Sequence, residues 1–261
     1  MAGTFVLTVS LILCMIFVPK KNALDTLQKR EAKAKETGKM TEEQLAKQKA
    51  NGSESEDTIC TADLTDDEIL EGLNLLLIGD SIAVDVTDDF YEMFPNSVSD
   101  TKIGRITSLG KQVLDSYIDE KKWEGEGVIF ASLSNSPING ELEDIREKIG
   151  KDMPLFLTTV RIPHDTFEEE SNSKIKKFVE ENNHTYLIDW YAASEGHDEY
   201  FDADDTHLLS AGAKAYANCI KEAVLDAYKK ENIEIPKSRL VSSTDTSTDS
   251  SNDSSTDTST E

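Results

Sequence analysis

Apolar runs and helical patterns alternate along the middle of the chain. Short apolar runs bounded by polar or turn residues predict β-strands at 74–78, 98–103, 127–133, 155–160 and 186–188. Apolar residues at helical spacing predict helices at 85–94, 109–120, 140–149, 168–181 and 211–228. Strands that alternate with helices at this spacing form βαβ units. The pattern therefore predicts one α/β domain at 62–235, with a parallel sheet covered by helices on both faces.

The beginning of the chain has a different pattern. Residues 1–18 contain no charged side chain, and Lys20 and Lys21 follow directly after Pro19. This length is near the lower limit for a membrane-spanning helix. A signal peptide is disfavoured because no basic region precedes the run and no A-x-A-like cleavage site follows it. Leu13 before Cys14 also disfavours a lipoprotein signal. We therefore expect one transmembrane helix at 1–19.

Polar segments flank the predicted domain on both sides. Residues 20–61 are rich in Lys, Glu, Ala and Gln over most of their length, which indicates a charged, solvated linker. Residues 236–261 end in a run of Ser, Thr and Asp with no apolar side chain to bury. We expect this tail to be disordered.

The composition excludes several classes of function. The 261 residues carry a net charge of -24, which argues against binding to nucleic acid or to anionic lipid. The cysteines are Cys14, Cys60 and Cys219, and they form no CxxC pair or Cys/His cluster, so no metal site is expected. Two free thiols at Cys60 and Cys219 are favoured over a disulfide between them.

Two motifs together indicate nucleophilic catalysis. Gly79-Asp80-Ser81 ends the first predicted strand, where a serine either caps a helix or acts as a nucleophile near free backbone N–H groups. Asp204 and His207 lie three residues apart before the last helix, so that the carboxylate can orient the imidazole. Each motif alone is weak evidence, because a capping serine and a surface histidine are common.

Two further loops follow predicted strands. Gly104 comes after the second strand and can offer its backbone N–H to an oxyanion, and the neighbouring Arg105 can steady the loop or the substrate. Asn135 follows the third strand and can donate from its side-chain amide. Ligands of parallel α/β sheets bind where the carboxyl ends of the strands meet, which is where all four motifs fall.

The order Ser, Gly, Asn, Asp-x-x-His resembles the SGNH (GDSL-like) hydrolase superfamily. More closely, residues 65–230 resemble the extracytoplasmic domain of peptidoglycan O-acetyltransferases, in which this domain follows an acyltransferase-3 membrane domain. The similar pieces are LLLIGDSIAVDV at 75–86, DTKIGR at 100–105, SLSNSP at 132–137, TTVRIP at 158–163 and YFDADDTHLLSAGAKAYA at 200–217.

The resemblance implies a three-layer, flavodoxin-like sandwich and assigns roles to five residues. Ser81 is expected to be the nucleophile, His207 the base and Asp204 the residue that orients it. The backbone N–H groups of Ser81 and Gly104 and the amide of Asn135 are expected to form the oxyanion hole. No cofactor or metal is implied.

The family pattern has four sequence blocks, which correspond here to Ser81, Gly104, Asn135 and His207. The third and the last of them depart from that pattern. The third block usually reads Gly-Thr-Asn-Gly, whereas this chain has Leu133-Ser134-Asn135-Ser136 and so lacks both glycines. In the last block Asp205 stands where glycine is common, which adds a negative charge to the loop that carries His207. The departures bear on rate and on the preferred acceptor more than on the class of reaction.

The implied function is acetyl transfer, through an acetyl-serine intermediate, to the C6 hydroxyl of N-acetylmuramic acid in peptidoglycan. The implied acetyl donor is delivered by a membrane acyltransferase domain. Three alternatives stay open: a carbohydrate esterase with the same triad, a catalytically inactive wall-binding module, and a structural tether. Aromatic residues before Asp204, among them Trp190 and Tyr200, can stack on sugar but are more often core residues.

The expected location is the cell membrane, with a single span in this chain and the catalytic domain outside the cytoplasm. The positive-inside rule, applied to this helix alone, would place Lys20 and Lys21 in the cytoplasm. This conflict is removed if the helix is the last of a larger membrane protein, whose earlier helices set the topology. We therefore also expect the chain to be a piece of such a protein.

Overall fold

The computed structural model describes residues 25–26, 28–33 and 57–240. Within this part of the chain the strands are β1 Thr58–Cys60, β2 Leu75–Gly79, β3 Val98–Thr101, β4 Gly127–Ala131, β5 Leu155–Thr158, β6 Thr185–Ile188 and β7 Glu234–Pro236. The helices from residue 57 onward are α1 Asp66–Gly72, α2 Ser81–Met93, α3 Thr107–Asp119, α4 Glu141–Ile149, α5 Glu168–Glu181, α6 Trp190–Ala193 and α7 Ser210–Glu231. Short 3-10 helices lie at Thr61–Asp63, Asp198–Tyr200 and Lys237–Arg239.

The central sheet has the order β3-β2-β4-β5-β6, and every pairing in it is parallel. Gly79, the last residue of β2, is paired with Thr101 of β3 on one side and with Ala131 of β4 on the other. The strand order reverses at β2, because β3 lies on one side of it and β4, the next strand in the sequence, lies on the other. Ligands of doubly wound sheets bind in the crevice at such a point.

Side chains of β2 alternate between two hydrophobic cores. Leu75 and Leu77 pack in the core beneath α1, α2 and α7, whereas Leu76 and Ile78 pack in the core beneath α3, α4 and α5. A strand buried on both faces needs an unbroken apolar run, which is what residues 75–78 provide. The structure thus has three layers, and it confirms the predicted α/β fold with a parallel sheet.

The helix that follows β2 begins earlier than predicted. The pattern predicts a helix from residue 85, whereas α2 begins at Ser81. All residues from Ser81 to Thr87 are buried. The first two turns therefore show no polar face, and their apolar residues lack the helical period on which the prediction depends.

The folded region extends beyond the predicted limits of 62–235. β1 lies in the range assigned to the linker and pairs antiparallel with β7, with Ile59 opposite Ile235. The 3-10 helix Lys237–Arg239 lies in the range assigned to the tail. The predicted tail beyond residue 240 and the predicted transmembrane helix at 1–19 lie outside the described residues.

Within the described ranges, no helix combines the length and the apolar character needed to cross a membrane. Both cysteines in these ranges, Cys60 and Cys219, are free thiols. Burial raises the pKa of Cys219 to about 11.

Candidate active site

The turn from β2 into α2 positions Ser81. Asp80 caps the helix, because its side chain accepts a hydrogen bond of 3.0 Å from the backbone N–H of Ile82. Gly79 is required for this turn, since a Cβ at that position would overlap the side chain of Ala83 one turn into the helix. Ser81 is therefore the first residue of α2, and it lies at the carboxyl edge of the sheet with 5% of its surface exposed.

A tight loop before α7 holds His207. The loop is closed by a backbone bridge between Phe201 and Leu208 and by a hydrogen bond of 2.8 Å from the N–H of Asp202 to the carbonyl of His207. Asp204 organises its interior, because one carboxylate oxygen accepts hydrogen bonds from the backbone N–H groups of Thr206 and His207 at 3.1 and 2.9 Å.

The structure brings Ser81, His207 and Asp204 together. The Nε2 atom of His207 lies 3.0 Å from the Oγ atom of Ser81, and its Nδ1 atom lies 2.7 Å from the second carboxylate oxygen of Asp204. A carboxylate can only accept a hydrogen bond, so Nδ1 carries the proton and Nε2 accepts from the serine hydroxyl. This is the geometry that a serine nucleophile and its base need.

Hydrogen bonding keeps Asp204 ionised. Burial alone would raise the pKa of this half-exposed carboxyl. The hydrogen bonds from the His207 side chain and from the backbone of His207 and Thr206 outweigh burial and hold the pKa below its ordinary value. Asp204 therefore stays negative at neutral pH and stabilises positive charge on the imidazole.

Gly104 and Asn135 lie on the loops that flank Ser81. Gly104 follows β3 with a φ of 69°, a left-handed conformation that favours glycine, and Asn135 follows β4. The amide nitrogen of Asn135 lies 3.1 Å from the Oγ atom of Ser134. Both residues are exposed at the edge where β2 ends, and their role as oxyanion donors stays a prediction.

Leu133 and Ser136, which occupy the two positions where the third block usually has glycine, make contacts through their side chains. Leu133 is fully buried in the core beneath α3, α4 and α5. Ser136 accepts a hydrogen bond of 3.2 Å from the backbone N–H of Thr107, the first residue of α3. The substitutions thus add a core contact and tie the β4 loop to the helix beside it.

Asp80 links the block of Ser81 to the block of Asn135. This link was not predicted from the sequence. Its carboxylate is fully buried and accepts hydrogen bonds from the backbone N–H and the hydroxyl of Ser134 at 3.1 and 2.5 Å. Burial raises the pKa of Asp80, while the hydrogen bonds from Ser134 and Ile82 oppose that rise. The sequence signal that could have revealed the link is Asp80, an N-cap residue, together with the hydroxyl of Ser134 in the loop after β4.

Arg105 steadies the Gly104 loop. It is 5% exposed, and its guanidinium donates to the carbonyl oxygens of Gly79 and Asp100 at 3.1 and 2.5 Å and forms an ion pair with the Asp100 carboxylate. The loop after β3 is therefore fastened to the end of β2, beside Ser81.

The extra aspartate of the last block, Asp205, contacts a histidine outside the triad. Asp205 adopts a φ of 57°, and its carboxylate lies 3.4 Å from the Nε2 atom of His164, with both side chains exposed. Of the aromatic residues before Asp204, Trp190 and Phe201 belong to the core, and Trp190 also packs against the ring of Tyr200. Across the described residues, no group of three or more His, Cys, Asp or Glu side chains is placed to hold a metal ion.

The fold and the site define a class of protein. A parallel α/β sandwich with a Ser–His–Asp array at the carboxyl edge of its sheet is the arrangement of serine hydrolases and acyltransferases. A comparison with protein-family models finds no match.

Sequence and structure comparisons narrow this class. The chain is 34% identical over 146 residues to the O-acetyltransferase OatA of Staphylococcus aureus (strain NCTC 8325 / PS 47). That alignment covers 56% of this chain and 24% of the relative, so the chain spans about a quarter of the length of the curated relatives it matches.

Solved structures share the fold. The C-terminal catalytic domain of Streptococcus pneumoniae peptidoglycan O-acetyltransferase A (OatA), solved with a methylsulfonyl adduct, has a TM-score of 0.55 at 20% identity and covers 64% of this chain and 99% of that one. A family 3 carbohydrate esterase of Clostridium thermocellum has a TM-score of 0.50 at 12% identity, covering 62% and 99%. The folded part of the chain is therefore similar to SGNH-type O-acetyltransferase domains in sequence and fold.

Proposed function

We propose that this domain is a serine-dependent O-acetyltransferase that acts on peptidoglycan. The observation that carries the proposal is the 3.0 Å separation of Ser81 Oγ and His207 Nε2, with Asp204 on the far side of the imidazole. The sequence similarity to an O-acetyltransferase supports acetyl as the transferred group. The proposed acceptor is the C6 hydroxyl of N-acetylmuramic acid.

The first half of the reaction forms an acetyl-enzyme. The Oγ atom of Ser81 bonds to the carbonyl carbon of the donor's acetyl group while its proton passes to Nε2 of His207. Collapse of the tetrahedral intermediate breaks the bond to the donor's leaving group, which departs with that proton. Asp204 remains ionised and holds the imidazolium in place.

The second half transfers the acetyl group. The sugar hydroxyl attacks the acetyl-serine carbonyl and gives its proton to Nε2 of His207. The bond to Ser81 Oγ then breaks, and the serine regains the proton. In both halves the negative oxygen faces the start of α2, where backbone N–H groups and the helix dipole favour it. Gly104 and Asn135 are the proposed additional donors. None of these steps requires a cofactor or a metal.

The proposal includes a place for the domain. Residues 1–18, with their apolar character, are proposed to anchor the chain in the membrane and to leave the domain on the outer side. A membrane acyltransferase domain is proposed to deliver the acetyl group. Protease added to intact cells should cleave the domain if it lies outside, and it should leave the domain intact if it lies in the cytoplasm.

The decisive experiment supplies the purified 261-residue chain with 4-nitrophenyl acetate, with and without chitopentaose. Mass spectrometry reads acetylated sugar and acetyl on Ser81, and Ser81→Ala is the matched control. Acetylated sugar that depends on Ser81 supports the transferase. Free acetate alone, at a rate that the sugar does not change, supports the carbohydrate esterase, whose fold this domain shares. Absence of both turnover and acetyl-serine would contradict catalysis and favour a binding module.

A further inference from the structure

A helical piece of the predicted linker contacts the domain beside the active site. Residues 28–33 are helical, and Arg30 and Lys33 reach α2. The guanidinium of Arg30 lies 2.6 Å from the Asp85 carboxylate, and the ammonium of Lys33 lies 2.5 Å from that of Asp88. Arg30 and Lys33 are three residues apart, and so are Asp85 and Asp88. Each pair therefore lies about one turn apart on its own helix.

The two ion pairs differ in their surroundings. The side chain of Asp85 is fully buried, whereas the side chains of Lys33 and Asp88 are both more than half exposed. Burial raises the pKa of Asp85, and the hydrogen bond and charge of Arg30 oppose that rise. A buried carboxylate that loses its cation is left uncompensated, whereas an exposed pair contributes little. We therefore expect the ion pair of Arg30 with Asp85 to matter more for the structure around Asp85 than the ion pair of Lys33 with Asp88.

Asp85 and Arg30 together hold the peptide groups next to the catalytic histidine. The second oxygen of Asp85 accepts a hydrogen bond of 3.0 Å from the backbone N–H of Leu208. The same guanidinium nitrogen of Arg30 donates to the carbonyl of Leu208 at 3.3 Å. Leu208 follows His207, and Asp85 lies one turn after Ser81 on α2. The contacts thus join the nucleophile helix to the histidine loop.

We propose that Arg30 is a positioning residue for catalysis, which holds the histidine loop against α2 and thereby keeps His207 Nε2 in contact with Ser81 Oγ. The docked linker segment is then part of the working enzyme, and its release lowers the reactivity of Ser81. This inference rests on the proposed function only in requiring that Ser81 is a nucleophile activated by His207.

The test uses the full chain and a fluorophosphonate probe. Ser81 Oγ bonds to phosphorus, fluoride leaves, and His207 takes the serine proton, so the rate reports activation of the nucleophile without any acceptor sugar. Arg30→Ala should react at least about tenfold more slowly, since small displacements of catalytic groups cost that much or more. Arg30→Lys should recover most of the rate because it restores the positive charge.

Lys33→Ala is the matched control. It removes the neighbouring ion pair of the same segment and should change the rate less than about twofold. With 4-nitrophenyl acetate, Arg30→Ala should lower kcat and leave KM nearly unchanged, because the residue does not touch the substrate. Thermal unfolding of each variant separates a loss of positioning from a loss of fold.

Three results would overturn the positioning role. In the first, Arg30→Ala reacts as fast as the wild type. In the second, Lys33→Ala is slowed as much as Arg30→Ala. In the third, the loss of labelling rate in Arg30→Ala is fully explained by the fraction of that variant that is unfolded at the assay temperature. Each of these leaves the proposed function standing, provided that the wild-type Ser81 is labelled. A wild type whose Ser81 stays unlabelled would instead contradict the nucleophile itself, and with it both proposals.

Discussion

Within the site, two carboxyl groups with different environments have different tasks. Asp204 is half exposed, accepts hydrogen bonds from the loop around it and from the imidazole, and has a lowered pKa. Asp80 is fully buried, fastens the loop after β4 to the start of α2, and has a raised pKa. The first can serve as a permanent negative charge for His207, whereas the second is a structural tie that positions the backbone around Ser81.

Asp204→Asn should lower kcat for ester hydrolysis about 10²- to 10⁴-fold, because the amide cannot hold the imidazole in the required tautomer. The unfolding free energy should change little, since the side chain is half exposed. Asp205→Asn is the matched control in the same loop, and its carboxylate contacts an exposed histidine, His164. A similar loss of kcat in both variants would show that loop charge, rather than tautomer control, is responsible.

Asp80 makes stability depend on pH in a defined direction. A carboxyl whose pKa is raised on folding contributes stability that is fully present below its unfolded pKa, about 4, and is lost as the pH rises through the folded value. We expect the advantage of the wild type over Asp80→Asn in unfolding free energy to shrink as the pH rises above about 4. Urea titrations at several pH values measure this difference, and a constant difference would contradict the raised pKa.

Among the elements, the β2–α2 unit shows how closely strand and helix approach at the nucleophile. α2 begins within two residues of the end of β2, and its first two turns are completely buried. Such close packing leaves no room for a side chain at Gly79. The apolar run of β2 and the glycine after it were readable from the sequence, whereas the start of α2 was not, because burial on all sides removes the amphipathic period.

Gly79→Ala should lower the unfolding free energy by about 3 kcal/mol, because the new Cβ overlaps Ala83 within a packed core. Gly104→Ala is the comparison, since a Cβ there meets nothing within 4 Å and only the left-handed backbone is strained. That variant should lose about 1 kcal/mol. Urea denaturation of both variants provides the measurement, and equal losses would contradict the steric argument at Gly79.

α1 was not predicted, although its sequence carries a recognisable start signal. Thr65 and Glu68 form a capping box, in which each side chain accepts a hydrogen bond from the backbone of the other residue. The helix has only seven residues, so its apolar positions are too few to establish a period. Strands β1 and β7 were missed for a related reason, since three-residue strands exist only through their pairing.

For the whole molecule, the pairing of β1 with β7 brings the two ends of the folded region together. Ile235 is fully buried in the core beneath α1, α2 and α7, although it lies at the edge of the range predicted for the domain. Thr61 adds a hydrogen bond of 2.6 Å from its hydroxyl to the carbonyl of Tyr228 near the end of α7. The ends therefore belong to the core that supports the nucleophile helix.

Ile235→Ala should lower the unfolding free energy by about 3 kcal/mol, because it removes buried methyl groups and leaves a cavity. Ile233→Ala, at a partly buried position before β7, should cost about 1 kcal/mol. Chemical denaturation measures both. In the folded state, labelling of Ser81 by the fluorophosphonate should proceed at the wild-type rate in both variants, and a slowed rate would show that the ends influence the site directly.

The sequence by itself determined the segments that form the central sheet, the order of the chemical motifs and their placement after successive strands. These depend on local patterns, namely buried apolar runs and the residues that follow them. Only the tertiary structure decided that His207 meets Ser81 at 3.0 Å, that Asp80 ties the β4 loop to α2, and that Arg30 reaches Asp85. Each of these contacts joins segments far apart in the chain, and their geometry follows from packing that no local pattern encodes.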